Sequence, residues 1–172
     1  MPRLSCIPPL LLAALCLTMG TALGTPVTLN ADNPVYRNAR YGFSLRLPPG
    51  KWHAVEADNG DGITALNGVD GDDDRAQVRA YGTLAHAVME QGFKDVLAEE
   101  TKRFAKVEAT SADPSEGWFT LRGVDEKGQF MYEKCFFSSQ ASNLVIITVH
   151  PQQRPTFDLL VRTVEATFRP GF

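Results

Sequence analysis

The sequence is poor in the residues that carry covalent and metal chemistry. Only three cysteines and three histidines occur among its 172 residues. No CxxC, HExxH, GxSxG, SxxK or glycine-rich phosphate loop is present, and His53, His86 and His150 are too far apart to pair on one helical turn. A zinc site, a serine-hydrolase elbow and a nucleotide cradle therefore have no local signature. Charge of one sign is also missing. The formal net charge is −3, with lysines and arginines scattered along the chain, which argues against nucleic acid as a partner. No internal repeat and no low-complexity linker divides the chain. After the first two dozen residues no apolar run approaches membrane-spanning length, so the expected mature chain has no transmembrane segment.

The one long apolar run opens the chain, in "MPRLSCIPPLLLAALCLTMGTALGTP". Arg3 supplies a positive lead, Pro9 to Leu17 an apolar stretch, and Ala22 and Gly24 small residues at the positions a signal peptidase reads. Residues 1–24 are expected to be a secretory signal removed after Gly24, delivering a periplasmic or secreted protein. A lipoprotein anchored through Cys16 is the lesser alternative, because Leu15 stands where a lipobox needs glycine or alanine. Once Cys6 and Cys16 leave with the signal, Cys135 has no cysteine to pair with. The fold must then stand on its hydrophobic core.

The remaining residues read as a short lead over 25–34 and a single domain over 35–172. Phe43, Leu45 and Leu47 alternate with polar residues as in a half-buried strand, stopped by Pro48-Pro49-Gly50. Trp52 and Ala54 begin another strand, and "ITAL" and "AQVRAY" give two more. From about Leu84 the period lengthens: Met89, Phe93, Val96, Leu97, Phe104 and Val107 predict a helix, with Glu90–Lys94 and Glu99–Arg103 pairs on its outer side. "TSADPSEG" reads as a loop. "WFTLRGV" and "QFMYEKCFF" form a hairpin closed at Gly128. "NLVIITVH" is apolar on both faces, as a central strand is, and Phe157, Leu160, Val161, Val164 and Phe168 stripe a last helix entered at Pro155. An antiparallel sheet between helical layers accounts for this order most economically.

The stretch "YGFSLRLPPGKW" resembles the opening strand of PsbP-like proteins, and "NLVIITVHPQQRPTFDLLVRTVEATFRP" is similar to their last strand and helix. That resemblance implies an α+β fold, an α/β/α sandwich with helices on both faces of an antiparallel sheet. The matching residues build strands and turns, so the resemblance carries no catalytic residue.

Three groups of residues remain as candidate sites. The run "NGDGITALNGVDGDDDRA" looks like a calcium loop, yet the EF-hand pattern fails: with Gly62 sixth, Ala57 and Gly68 stand at two ligand positions, and starting at Asp70, Arg75 and Tyr81 replace the required glycine and glutamate. Asp58 and Asp61 precede the "ITAL" strand and Asp70, Asp72, Asp73 and Asp74 follow it, roughly 13 Å away along an extended chain. Asp70 to Asp74 alone would make a weak divalent-cation loop, or else a solvated hairpin tip. Cys135 is either a small buried hydrophobe or a reactive thiol. Trp52, Trp118 and Tyr132 are candidate ligand-binding aromatics that also suit a core. These features point to an exported, non-catalytic binding or accessory module for an envelope protein or small ligand, with no cofactor. A thiol- or histidine-dependent enzyme and a weak cation binder are the alternatives. If the export reading holds, mass spectrometry of the exported protein will find Thr25 at its N-terminus without lipid; a diacylated Cys16 would refute it.

Overall fold

The computed structural model describes residues 24–67, 76–84 and 92–172. Its strands are β1 (Thr25–Val27), β2 (Val35–Arg37), β3 (Ser44–Arg46), β4 (Trp52–Glu56), β5 (Gly62–Asn67), β6 (Ala76–Leu84), β7 (Lys106–Asp113), β8 (Trp118–Val124), β9 (Phe130–Phe137) and β10 (Ala141–Val149). Helix α1 spans Gly92–Thr101 and helix α2 spans Arg154–Thr167, preceded by a 3-10 turn at Pro151–Gln153. Eight strands form one antiparallel sheet in the order β1-β4-β5-β6-β10-β9-β8-β7, while β2 and β3 form a separate two-stranded hairpin.

Strand β10 lies fourth from one edge and divides the core in two. Val145, Ile147 and Val149 pack on one side with Val78, Phe43, Leu45, Phe157, Leu160 and Val164. Leu144 and Ile146 pack on the other with Phe119, Leu121, Met131 and Cys135. Its neighbours β6 and β9 cover both its edges, satisfying the backbone of a strand with no polar face.

The two helices contribute unequally to the two core clusters. Helix α2 buries Phe157, Leu160, Val161 and Val164, the spacing of one helical stripe. Pro155 sits in its first turn, where the missing N–H has no partner to lose. After Phe168 the chain returns to β3, and Ser44 and Arg169 exchange backbone hydrogen bonds of 3.1 and 2.9 Å. Helix α1, in contrast, has no buried residue. Only Phe93, Val96 and Leu97, all half-buried, touch the second cluster.

Three sequence expectations are corrected. The helix predicted from Leu84 to Val107 is confined, among the described residues, to Gly92–Thr101: Leu84 ends β6, Phe104 follows the helix and Val107 lies in β7. The hydrogen bonds from Lys102, Arg103 and Phe104 all reach back three residues, a tightening that ends an α-helix. That turn also pairs Lys102 with Glu99 and Arg103 with Glu100 instead of the predicted Glu99–Arg103 pair. "TSAD", expected as loop, belongs to β7, whose side chains are mostly exposed and carry no alternating apolar signal. The lead over 25–34 contributes β1, which pairs with β4 and places Pro26 on the sheet edge, where its missing donor is tolerated.

The first core depends most on α2. Phe157 is fully buried, stacked on Phe130 at 5.4 Å between ring centroids. Phe157→Ala should lower the unfolding free energy by about 3–5 kcal/mol in urea titrations.

Candidate functional site

Antiparallel register sets side chains in rows across the sheet. One row runs Val55, Thr64, Arg79, Ile146, Glu133 and Leu121, from β4 to β8, on the face opposite α2. Its two halves have different surroundings. On the β4–β6 side lies an open cleft of about 710 Å³, whose lining includes Val55, Glu56, Asp61, Thr64, Arg79 and Tyr81. That volume is in the range of small-molecule sites, ~300–1,000 Å³.

The rim of the cleft is fixed by the β2–β3 hairpin. The Tyr36 hydroxyl donates to Glu56 Oε1 at 2.6 Å, and the Asn38 amide donates to Tyr36 Oη and to the Gly60 carbonyl. Arg40 pairs with Asp61 at 2.7 Å. Burial, followed by the Glu56 hydrogen bond, pushes the Tyr36 phenol far above its ordinary pKa, so it stays a donor. Gly82 is required where it stands: a Cβ there would lie 2.2 Å from the Tyr41 ring, which rests on its backbone. Arg79 is exposed beside Tyr81, 5.9 Å from that ring's centroid, and among the described residues it has no carboxylate partner.

Across Ile146, at roughly two strand spacings or about 10 Å, the same row reaches Glu133. This carboxyl is fully buried, and neither oxygen has a hydrogen-bond donor among the described residues. Its cross-strand neighbours are Ile146 and Leu121. Glu100, in the last turn of α1, brings a second carboxyl to this cluster, and its Oε2, like both Glu133 oxygens, is closed to solvent. Arg103 holds Glu100 in an ion pair and donates at 3.3 Å to the Tyr81 hydroxyl, joining this buried cluster to the cleft. Desolvation first, and the Glu100 charge second, push the Glu133 carboxyl up to about 9. Both causes favour the protonated acid.

The predicted site residues do not converge. Trp52 packs against the α2-side core and donates its indole N–H to the Pro48 carbonyl at 3.0 Å. Trp118 is five strands away at the start of β8, donating to Glu116 at 3.0 Å. Tyr132 is buried and donates to Glu165 at 3.0 Å, at the wall of a separate 390 Å³ cavity between β7–β9 and α2. The Arg122–Asp158 ion pair, at 2.6 Å, lies in that same wall. Cys135 is 1 % exposed among Phe119, Leu121, Met131 and Leu144, and burial drives its thiol far above the ordinary range. His53 is exposed, and His150 Nδ1 accepts the Gln152 N–H at 3.3 Å. His86 and Asp70, Asp72, Asp73 and Asp74 lie outside the described residues, as do Cys6 and Cys16. Among the described residues no group of three potential metal ligands comes together.

Sequence reasoning passed over Glu133 and the cleft. The one available signal was parity: in "FMYEKCFF", Glu133 alternates with Met131 and Cys135 and so shares their apolar face. The packing of Cys135 gives a direct test. Cys135→Ser places a hydroxyl among apolar side chains, with the Phe136 carbonyl, 3.6 Å from the thiol, as its nearest acceptor. Stability should fall by about 1–3 kcal/mol, read as a lower midpoint in urea. An unchanged midpoint would contradict the burial described.

No family model matches the chain, and no curated protein sequence matches it. Its fold does have a solved counterpart. The solution structure of cyanobacterial PsbP (CyanoP) from Synechocystis sp. PCC 6803 superposes with a TM-score of 0.56 at 13 % identity, over 82 % of this chain and 94 % of that one. At that identity the likeness concerns the path of the backbone. The chain has a PsbP-like fold.

Proposed function

We propose that this chain is an exported, non-catalytic binding module whose ligand sits in the cleft on β4, β5 and β6. The 710 Å³ cleft carries this reading: a concave surface with an apolar wall at Val55 and a few placed polar groups. The residues that would serve the enzymatic alternatives favour it too. A thiol nucleophile needs an accessible, electropositive setting, and Cys135 has an apolar, closed one. Export rests on the N-terminal segment of the sequence, and would place the module in the periplasm or outside the cell. In the same reading α1 and α2 are the outer layers of an α/β/α sandwich, with α1 the thinner. The PsbP-like fold is compatible with an accessory role but names no ligand.

Arg79 in the lining makes small aromatic and aliphatic carboxylates the probes of choice. A ligand at a hundredfold excess over its Kd stabilises the native state by about 2.7 kcal/mol. At least one carboxylate in a thermal-shift panel should raise the melting temperature of the wild type. Thr64→Trp, which fills the cleft between Val55 and Arg79 without entering either core, should abolish that shift. Stabilisation that survives Thr64→Trp, or none across the panel, would remove the cleft as the binding site.

A further inference from the structure

A fully buried carboxyl in the middle of a sheet needs a reason to be tolerated. Glu133 has one chemical solution available. Two carboxyl groups within hydrogen-bonding reach repel when both are ionised and bond when they share one proton. Glu133 comes from the rigid central sheet, and Glu100 from the last turn of a helix that buries no side chain of its own. The titratable and charged groups around Glu133 are Glu100 and Arg103 from the α1 end, Tyr81 from β6, and Cys135 from its own strand, with Arg79 two strands away beyond Ile146. β8 and β10 offer only the apolar Leu121 and Ile146 opposite it. Arg103 is ion-paired with Glu100 and donates to Tyr81; its charge also favours an ionised Glu133, but less than burial and the Glu100 charge oppose it.

We propose that the Glu100–Glu133 carboxyl pair is a one-proton latch that holds α1 on the sheet and releases it when the proton is lost. Release uncovers the strip formed by Phe119, Leu121, Met131 and Cys135, an apolar surface closed to solvent while the latch is shut. A divalent cation is the poorer occupant, since Arg103 already brings a positive charge to the pair.

The sign of the pH dependence follows from the raised acidity constant. The docked form keeps its proton up to about pH 9, whereas a released, solvated Glu133 ionises near the ordinary glutamate value. Docking is therefore strongest below about pH 4.3, weakens as pH rises and levels off once pH passes the docked value, with up to tenfold more opening per pH unit between.

Cys135 reports the opening. Iodoacetamide labelling of the full chain, located at Cys135 by peptide mass spectrometry, should be compared at each pH with Glu133→Gln. That variant donates to Glu100 without a titrating proton, and the ratio cancels the thiol's own ionisation. The wild-type rate relative to the variant should climb steeply with pH and flatten above about pH 9. Glu100→Gln removes the like charge, so its own labelling curve, referred to an unstructured peptide thiol, should flatten at lower pH. Hydrogen exchange should show α1 amides opening while α2 amides stay protected. If Glu133→Gln does not fold, the wild-type curve against the same peptide thiol must show the climb and plateau by itself. A flat ratio, α2 opening in step with α1, or calcium closing the latch at high pH would each overturn the proposal.

Discussion

A strand without a polar face can exist only where both its faces are covered, and β10 is such a strand. Val145, Ile147 and Val149 demand one cover, and Leu144 and Ile146 demand another on the opposite side. The rest of the architecture answers that demand. On one side α2 and the β2–β3 hairpin supply Phe157, Leu160, Phe43 and Leu45, which fill a large continuous core. On the other, α1 supplies only half-buried side chains, and the strands themselves supply most of the rest. Neighbouring positions inherit the consequence. Because Glu133 is the cross-strand partner of Ile146, closing the face over Ile146 also closes it over a carboxyl. The buried acid and the central apolar strand are two results of one register.

That register also explains what could be read from the sequence. β10, α2 and the β8–β9 hairpin were legible because each has a strong period: continuous apolar residues, a 3.6-residue stripe, and two-residue alternation around Gly128. β7 was not legible, because an edge strand with both faces exposed needs no apolar alternation, and "ADPSE" carries turn chemistry. The α1 stripe misled for a different reason. Phe104 and Val107 do pack with Phe93 and Leu97, but from a turn and from a strand. Helical spacing recorded a shared core and not a shared element.

The candidate site was less legible than the fold. Trp52, Trp118 and Tyr132 attracted attention by residue type, yet strand order separates Trp52 from Trp118 by the width of the sheet. The cleft is lined by residues whose types are ordinary on a solvated sheet face, Val55, Thr64 and Arg79. Their adjacency is a matter of long-range pairing between β4, β5 and β6, which no local pattern encodes. Glu133 was half legible. Its parity placed it on an apolar face, but burial depended on a helix distant in sequence, which the strand itself does not specify.

The unequal cover has a dynamic consequence that links the cleft to the buried pair. Local openings occur where few apolar contacts hold an element, and α1, with no buried side chain, is the weaker of the two described helices. Tyr81 stands between the two regions: it lines the cleft, and its hydroxyl accepts from Arg103, the residue that engages Glu100. Tyr81 is itself partly buried, and that burial keeps its phenol above the ordinary pKa and so protonated. Any displacement of α1 that carries Arg103 away must therefore remove one hydrogen bond from the wall of the cleft. A ligand that contacts Tyr81 and favours its present position would, by reciprocity, favour the docked helix and the shared proton beneath it. Binding on the open half of the row and protonation on the closed half would thus be coupled through one tyrosine, over about two strand spacings.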